Sequence, residues 1–319
     1  MRLILVLLPL ILPGLVLSAC TRQVSTPLLG PVPSRINSQH LQGTLVDLRM
    51  RQGITLAHMV TAVAYAHVVA VGEEHYHPDI QAFELHLLKA LVHQRPQHVA
   101  LGMEFLERDA QATVDAYLLG TIDQETFQTR LKASSSFMQL YFPLVHYAQQ
   151  AGIPIIAMNV PRHIARQVAQ QGLQQTLAAL STVDRGYVPA SLAPITERYR
   201  TYFLDAVAEF HPVAGEQADR FVEASYLKDA TMAAALAAFL EKHPSFTVLA
   251  IAGRFHFDYG IAIPALLQQY RQQIIIRRLS TMALPPDHTI DIHDLAAQRI
   301  ADYLYVFPPT PATSKSPDT

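Results

Sequence analysis

Three stretches of this chain run apolar rather than alternating: Val68–Val71, Ile153–Ile156 and Thr247–Ile251, the last after its opening threonine. A strand with one face in water alternates apolar and polar residues. A continuous run suits a strand buried on both faces of a parallel sheet. Further β-rich segments fall at 44–49, 98–104, 273–279 and 302–306, beside 67–73, 153–159 and 246–252 around the three runs. Helical patterns separate them. In 79–94, Ile80, Phe83, Leu87, Leu88 and Leu91 share one stripe, as an amphipathic helix requires. Strands alternating with helices predict an α/β fold, a mainly parallel sheet flanked by helices in three layers. The segments at about 105–150 and 161–243 show helical patterns only. They are more than the faces of one sheet hold, so a smaller helical subdomain is expected beside it.

In an open α/β sheet ligands bind outside the carboxyl ends of the strands. Four strands end there in polar turns. The first gives Gly72, Glu73, Glu74, His75 and His77, and the second Glu104. The third gives Asn159, Arg162 and His163, and the fourth Gly253, Arg254, His256 and Asp258. Each residue alone has an ordinary structural explanation: a carboxylate at a helix N-terminus, a helix cap, a satisfied histidine. Taken together, Glu73, His75, Glu104 and His256 form a candidate catalytic cluster, because charge at the ends of buried strands is costly unless paired or used. Two carboxylates and two imidazoles suit either a divalent metal or metal-free acid–base chemistry. A G-x-S-x-G elbow, a Walker loop, H-E-x-x-H and a helix-opening G-x-G-x-x-G are all missing.

The N-terminus points to export. Arg2 precedes an uncharged stretch from Leu3 to Leu17, interrupted by Pro9, Pro13 and Gly14. It falls short of the roughly 20 residues that span a bilayer. Leu17-Ser18-Ala19-Cys20 resembles a bacterial lipobox, and Cys20 is the one cysteine of the chain. The expected organisation is a signal peptide at 1–19 and a lipid anchor and tether at 20–42. The α/β domain follows at 43–306, and a disordered tail at 307–319. Thr21, in place of an aspartate, favours an outer-membrane location facing periplasm or surface. The formal net charge is −2, so nothing points to nucleic acid as a partner.

Several segments in order resemble the ChaN-like haem-binding lipoproteins. They are G-E-E-H at 72–75, E-F-L-E-R-D at 104–109, Y-F-P-L-V at 141–145, I-P-I-I-A-M-N-V-P-R at 153–162, L-K-D-A-T-M-A at 227–233 and I-A-G-R-F-H at 251–256. The first and last also resemble, more distantly, erythromycin-esterase-like and TraB/TIKI-like proteins. The resemblance implies a haem-binding protein of the outer membrane, dimeric and linked to haem and iron uptake. It also implies an iron held by a tyrosine. Tyr141 matches that position, with Tyr147, Tyr226 and Tyr259 as rivals. Arg162, His163, Lys228 and Arg254 are the candidates for the haem propionates. The chain departs from the family in Tyr76-His77-Pro78, which stand where Asp-Asn-like residues are usual, and in Ser225 before L-K-D-A-T-M-A. The alternative is an envelope hydrolase, metal-dependent or using Glu and His as acid and base.

Overall fold

The computed structural model describes residues 27–208 and 214–309. Eleven strands occur there: β1 (Gly30–Pro31), β2 (Arg35–Asn37), β3 (Leu45–Asp47), β4 (Gln52–Ile54), β5 (Val68–Glu73), β6 (Val99–Glu107), β7 (Ile155–Asn159), β8 (Thr247–Gly253), β9 (Ile276–Ala283), β10 (Thr289–Asp291) and β11 (Tyr303–Phe307). Nine form one sheet in the order β1-β4-β3-β11-β9-β5-β8-β6-β7, and β10 pairs with β2 in a ribbon. From β11 to β7 every pairing is parallel. The β3, β4 and β1 edge is antiparallel. Every residue of β5 and β8 is buried, which is why both read as unbroken apolar runs.

Alternate residues of these strands feed two cores. Val69, Val71, Leu101, Met103, Leu249 and Ile251 face the helix Pro78–Gln94 through Ile80, Leu87, Leu88 and Leu91. Ala70, Ala100, Ala250 and Ala252 face the other way, onto Met232, Leu236 and Leu240 of the long helix Gly215–Lys242. Small residues on that face let the long helix lie close. A Cβ added at Gly102 would stand 2.7 Å from Met158 Sδ and 3.3 Å from Leu236 Cδ2. Truncating a buried leucine such as Leu236 to alanine is expected to cost roughly 2–5 kcal/mol, the usual range for a core cavity.

The two helical segments have different fates. Within 111–151, Phe127, Phe137, Phe142 and Leu144 join the main core on the face of the helix Pro78–Gln94. The smaller helical subdomain is built from Arg162–Gln171 and the helices after it. Ile164, Ala165, Val168, Leu173 and Val188 close on Ala224 and Leu227 of the long helix.

The tether expected up to residue 42 is part of the fold from Gly30 onward. Gly30–Pro31 pair with Gln52–Gly53 at the sheet edge, and Val32 and Leu41 are buried. Proline and serine read as a linker, yet an edge strand has no partner for one N–H row and tolerates proline. Phe307, placed in the tail from sequence, is the buried last residue of β11. The signal peptide, Cys20 and residues 310–319 lie outside the described residues. Among the described residues no helix is long and apolar enough to cross a membrane.

Candidate functional site: a carboxylate and imidazole cluster beside a cleft

Glu73 ends β5, Glu104 lies near the end of β6, and His256 sits in the short helix Arg254–Phe257 that follows β8. These strands are neighbours, so the three residues meet at one edge with His75. His75 Nδ1 is 2.8 Å from Glu73 Oε1, and its Nε2 is 3.9 Å from Glu104 Oε2. His256 Nε2 is 3.2 Å from Glu104 Oε1, and the Gly253 N–H donates to Glu104 Oε2 at 2.8 Å. All four candidate catalytic residues therefore come together. Gly253 makes this possible: a Cβ there would stand 3.1 Å from His75 Cε1.

Other parts of the cluster were not foreseen. Asp229, buried in the long helix, accepts from His256 Nδ1 at 2.5 Å and from the Tyr199 hydroxyl at 2.5 Å. Gln81 Nε2 donates to Glu73 Oε2 at 2.7 Å. Glu84 is fully buried, and no donor reaches either of its oxygens; its neighbour is the Glu73 carboxylate, with which it can share a proton. Asp229 was visible inside L-K-D-A-T-M-A. Glu84 follows Ile80 by four residues, so a carboxylate on the apolar stripe was the signal there.

Burial alone would lower His256, but the Glu104 and Asp229 carboxylates outweigh it and raise its pKa to about 10. Burial would raise Glu104, yet the His256 charge and hydrogen bond, then His75 and the Gly253 N–H, hold it well below the usual carboxylate range. His75 is raised: its burial, which lowers it, is outweighed by Glu73 and Glu104. Glu84 is pushed well above the carboxylate range by burial and then by Glu73. The edge is thus a chain of alternating carboxylates and imidazoles in which the acids favour the protonated form of each imidazole. The divalent metal that the sequence left open finds no support in the structure. Among the described residues no group of three His, Cys, Asp or Glu is arranged to hold one.

Glu104 also lines a cleft of about 490 Å³. The helix Arg162–Gln171 contributes Arg162, Ala165, Arg166 and Ala169, an i, i+3, i+4, i+7 face. The long helix contributes Phe221, Ala224, Ser225 and Lys228, and Phe105, Val160, Phe203 and Tyr76 complete much of the wall. Asn159 also faces it, and its buried Oδ1 has no hydrogen-bond partner. The size is that of a small-molecule site. Apolar walls beside cations suit a flat amphiphile with acidic groups, such as haem.

Of the residues expected around haem, Arg162 and Lys228 line this cleft. Arg162 also pairs with Glu107 at 3.5 Å. His163 is one residue out of helical phase and bonds Asp184 at 3.0 Å. Arg254 does not line the cleft either. It is held by Asp258 at 3.1 Å and Glu74 at 3.4 Å, and Glu74 also accepts from the Ala283 N–H at the end of β9. Tyr141 departs furthest from its expected role. It is fully buried, and its hydroxyl donates to Glu73 Oε1 at 2.7 Å. Burial and then the Glu73 charge push its pKa far up, against the phenolate. Tyr226 is buried with its hydroxyl on the Ala193 carbonyl at 2.6 Å. Tyr147 packs under Lys89, and Tyr259 joins the core beneath β11.

The fold is that of an α/β protein with a cleft at the carboxyl edge of its mainly parallel sheet. Residues 59–267, more than half of the chain, match the family described as haem-binding uptake, Tiki superfamily, ChaN, and the chain belongs to that family. Among solved structures it is similar to ChaN of Campylobacter jejuni, described with cofacial haem binding. The two are 18% identical with a TM-score of 0.63, over 82% of this chain and 95% of that one. An erythromycin esterase, EreC, in its open conformation is 14% identical with a TM-score of 0.44, over 76% of each chain. No curated protein matches the chain.

Proposed function

We propose that this protein is a lipid-anchored envelope protein that binds ferric haem in the cleft between the helices Arg162–Gln171 and Gly215–Lys242, in the service of haem and iron uptake. One observation carries the reading: in a chain of the ChaN family, the cleft joins apolar walls to Lys228 and Arg166, for which no carboxylate or other partner is found among the described residues. Propionates need such donors, while the porphyrin body needs surfaces such as Phe105, Phe203 and Phe221. Bound haem would supply the iron. The protein's own residues bind it, orient it and keep water from its faces. The cofacial haems of the Campylobacter jejuni protein suggest two copies of this chain closing on two haems. Cys20 would carry the lipid and hold the domain at the outer membrane. Titration of ferric haem into the purified protein, followed by absorbance, tests the reading: saturable uptake at one haem per chain supports it, and none rejects it. Cys20→Ala should release the protein from the membrane fraction, and unchanged association would remove the anchor.

A second reading is favoured by a different observation. His75 has a side chain 40% exposed, standing between Glu73 and Glu104, with protonated His256 on the same carboxylate. An exposed imidazole beside a stored proton is what a metal-free acid–base hydrolase would need. A panel of esters and peptides decides it. Activity abolished by Glu104→Gln, with the fold intact, supports hydrolysis, and no turnover across the panel counts against it.

A further inference from the structure

Seven residue steps separate Cys20 from Pro27, the first described residue. Fully extended, they reach at most about 25 Å. A lipid on Cys20 therefore holds Pro27 within that distance of the bilayer. The chain joins the domain at once. The Leu28 N–H donates to Thr44 Oγ1 at 2.9 Å, and β1, the outermost strand of the sheet, follows.

The edge made by β1, β4 and the turn before β4 carries what a lipid surface selects. Leu29 is 62% exposed and Met50 64%. They stand at the two ends of one strand pair. Leu29 immediately precedes β1, and Met50 precedes Arg51, whose carbonyl accepts from the Val32 N–H at 2.9 Å. In residues 27–58 the one carboxylate is Asp47, and it is buried. The exposed formal charges there are Arg35, Arg49 and Arg51, all positive, in a chain whose net charge is −2. Arg35 pairs with Asp291 and Arg49 with Asp47, while no ion pair of Arg51 is found among the described residues. Cations beside exposed apolar side chains suit anionic headgroups above acyl chains. A further protein strand suits this edge less well, because Pro31 and Pro33 have no N–H to offer it.

The cleft lies at the other margin of the sheet. Glu104, Phe105 and Glu107 of β6 and Asn159 of β7 line it. In the sheet order β7 is eight strand steps from β1, about 38 Å along the sheet.

We propose that the β1–β4 edge docks on the anionic phospholipid surface of the membrane that holds Cys20, with Leu29 and Met50 entering the headgroup layer. This rests on the lipid anchor proposed above. The cleft is then carried at the margin far from the bilayer and takes its ligand from the aqueous side.

The chain has no tryptophan, so a single introduced one reports alone. The test uses the lipidated protein in vesicles of phosphatidylglycerol and brominated phosphatidylcholine, whose bromines quench tryptophan fluorescence on contact. The variants are Leu29→Trp, Met50→Trp and, as the control, Leu119→Trp. Leu119 is 78% exposed and follows the helix Gln111–Leu118, which is bound to β7 through Gln111 and the Ala157 N–H. Circular dichroism establishes that each variant is folded. Leu29→Trp and Met50→Trp should be quenched and shifted to the blue, and Leu119→Trp neither. Adding Arg51→Gln to Met50→Trp should weaken the contact about fivefold and lower the quenching. Protein that floats with the vesicles while Leu29→Trp and Met50→Trp are quenched no more than Leu119→Trp overturns the docking and leaves the anchor standing. Quenching as strong without phosphatidylglycerol overturns the choice of an anionic surface. Protein that does not float with the vesicles overturns anchor and docking together.

Discussion

His256 Nδ1 stands 2.5 Å from Asp229 Oδ1, and this contact ties the turn after β8 to the middle of the long helix. With Glu104 on the other nitrogen, it raises His256 to about 10. The folded value lies above the unfolded one of about 6.5. The stabilisation is therefore complete below about pH 6.5 and is lost as pH rises through about 10. Asp229→Asn should destabilise the protein by about 3 kcal/mol at neutral pH, since a buried imidazolium loses one of its two carboxylates. The deficit should shrink above pH 10. Urea unfolding of both proteins across pH 6–11 checks this. A deficit that is constant with pH would mean that the pair stabilises by shape and not by charge.

Tyr141→Phe removes one donor to Glu73 and the acceptor of the Tyr76 N–H. Glu73 keeps Gln81 and His75. The expected loss is about 1–3 kcal/mol, the range for a buried polar group deprived of its partner. Thermal unfolding measures it, and a loss near zero would show that water replaces the hydroxyl.

The sheet was legible because its strands are buried on both faces and so keep their apolar residues together. The site was legible in outline because a parallel sheet brings its carboxyl ends to one edge whatever lies between them. Glu73, His75, Glu104 and His256 could therefore be grouped across 183 positions of sequence from the first to the last. Asp229 and Glu84 escaped because each lies inside a helix, and strand ends were where partners were sought. The tyrosine that faces the cleft was not legible either. Tyr76 and Tyr141 touch each other, and only packing decides which hydroxyl turns inward. Helical phase separates Arg166, on the cleft, from His163, which is off it, but the phase has no meaning until the neighbouring long helix is placed.

Glu84 makes a prediction of the opposite sign to a paired carboxylate. Burial and the Glu73 charge raise it well above its ordinary value, so folding takes up a proton once pH exceeds about 4.3, the unfolded value. Stability then falls as pH rises, by about 1.4 kcal/mol per pH unit, until the folded group itself ionises. Glu84→Gln carries no such proton and should gain on wild type across that window. Unfolding at pH 5, 6 and 7 should show the gap changing in favour of the variant. Parallel curves would mean that Glu84 is already ionised in the folded protein.

Lys228 and Arg166 line the cleft from different helices, so their effects on a dianionic ligand should be separable. Each is expected to contribute one charge-assisted hydrogen bond to a propionate, about 1.5–3 kcal/mol. Lys228→Ala and Arg166→Ala should therefore each weaken haem binding roughly tenfold to a hundredfold. Lys228 is half-buried and Arg166 exposed, so added salt should erode the Arg166 contribution more, since exposed charges are the better screened. Haem titrations of both variants at two ionic strengths measure this. A porphyrin dimethyl ester should bind wild type and both variants alike. If the variants lose free-acid and ester binding equally, the two side chains act as wall packing, because the ester has no charge for them to meet.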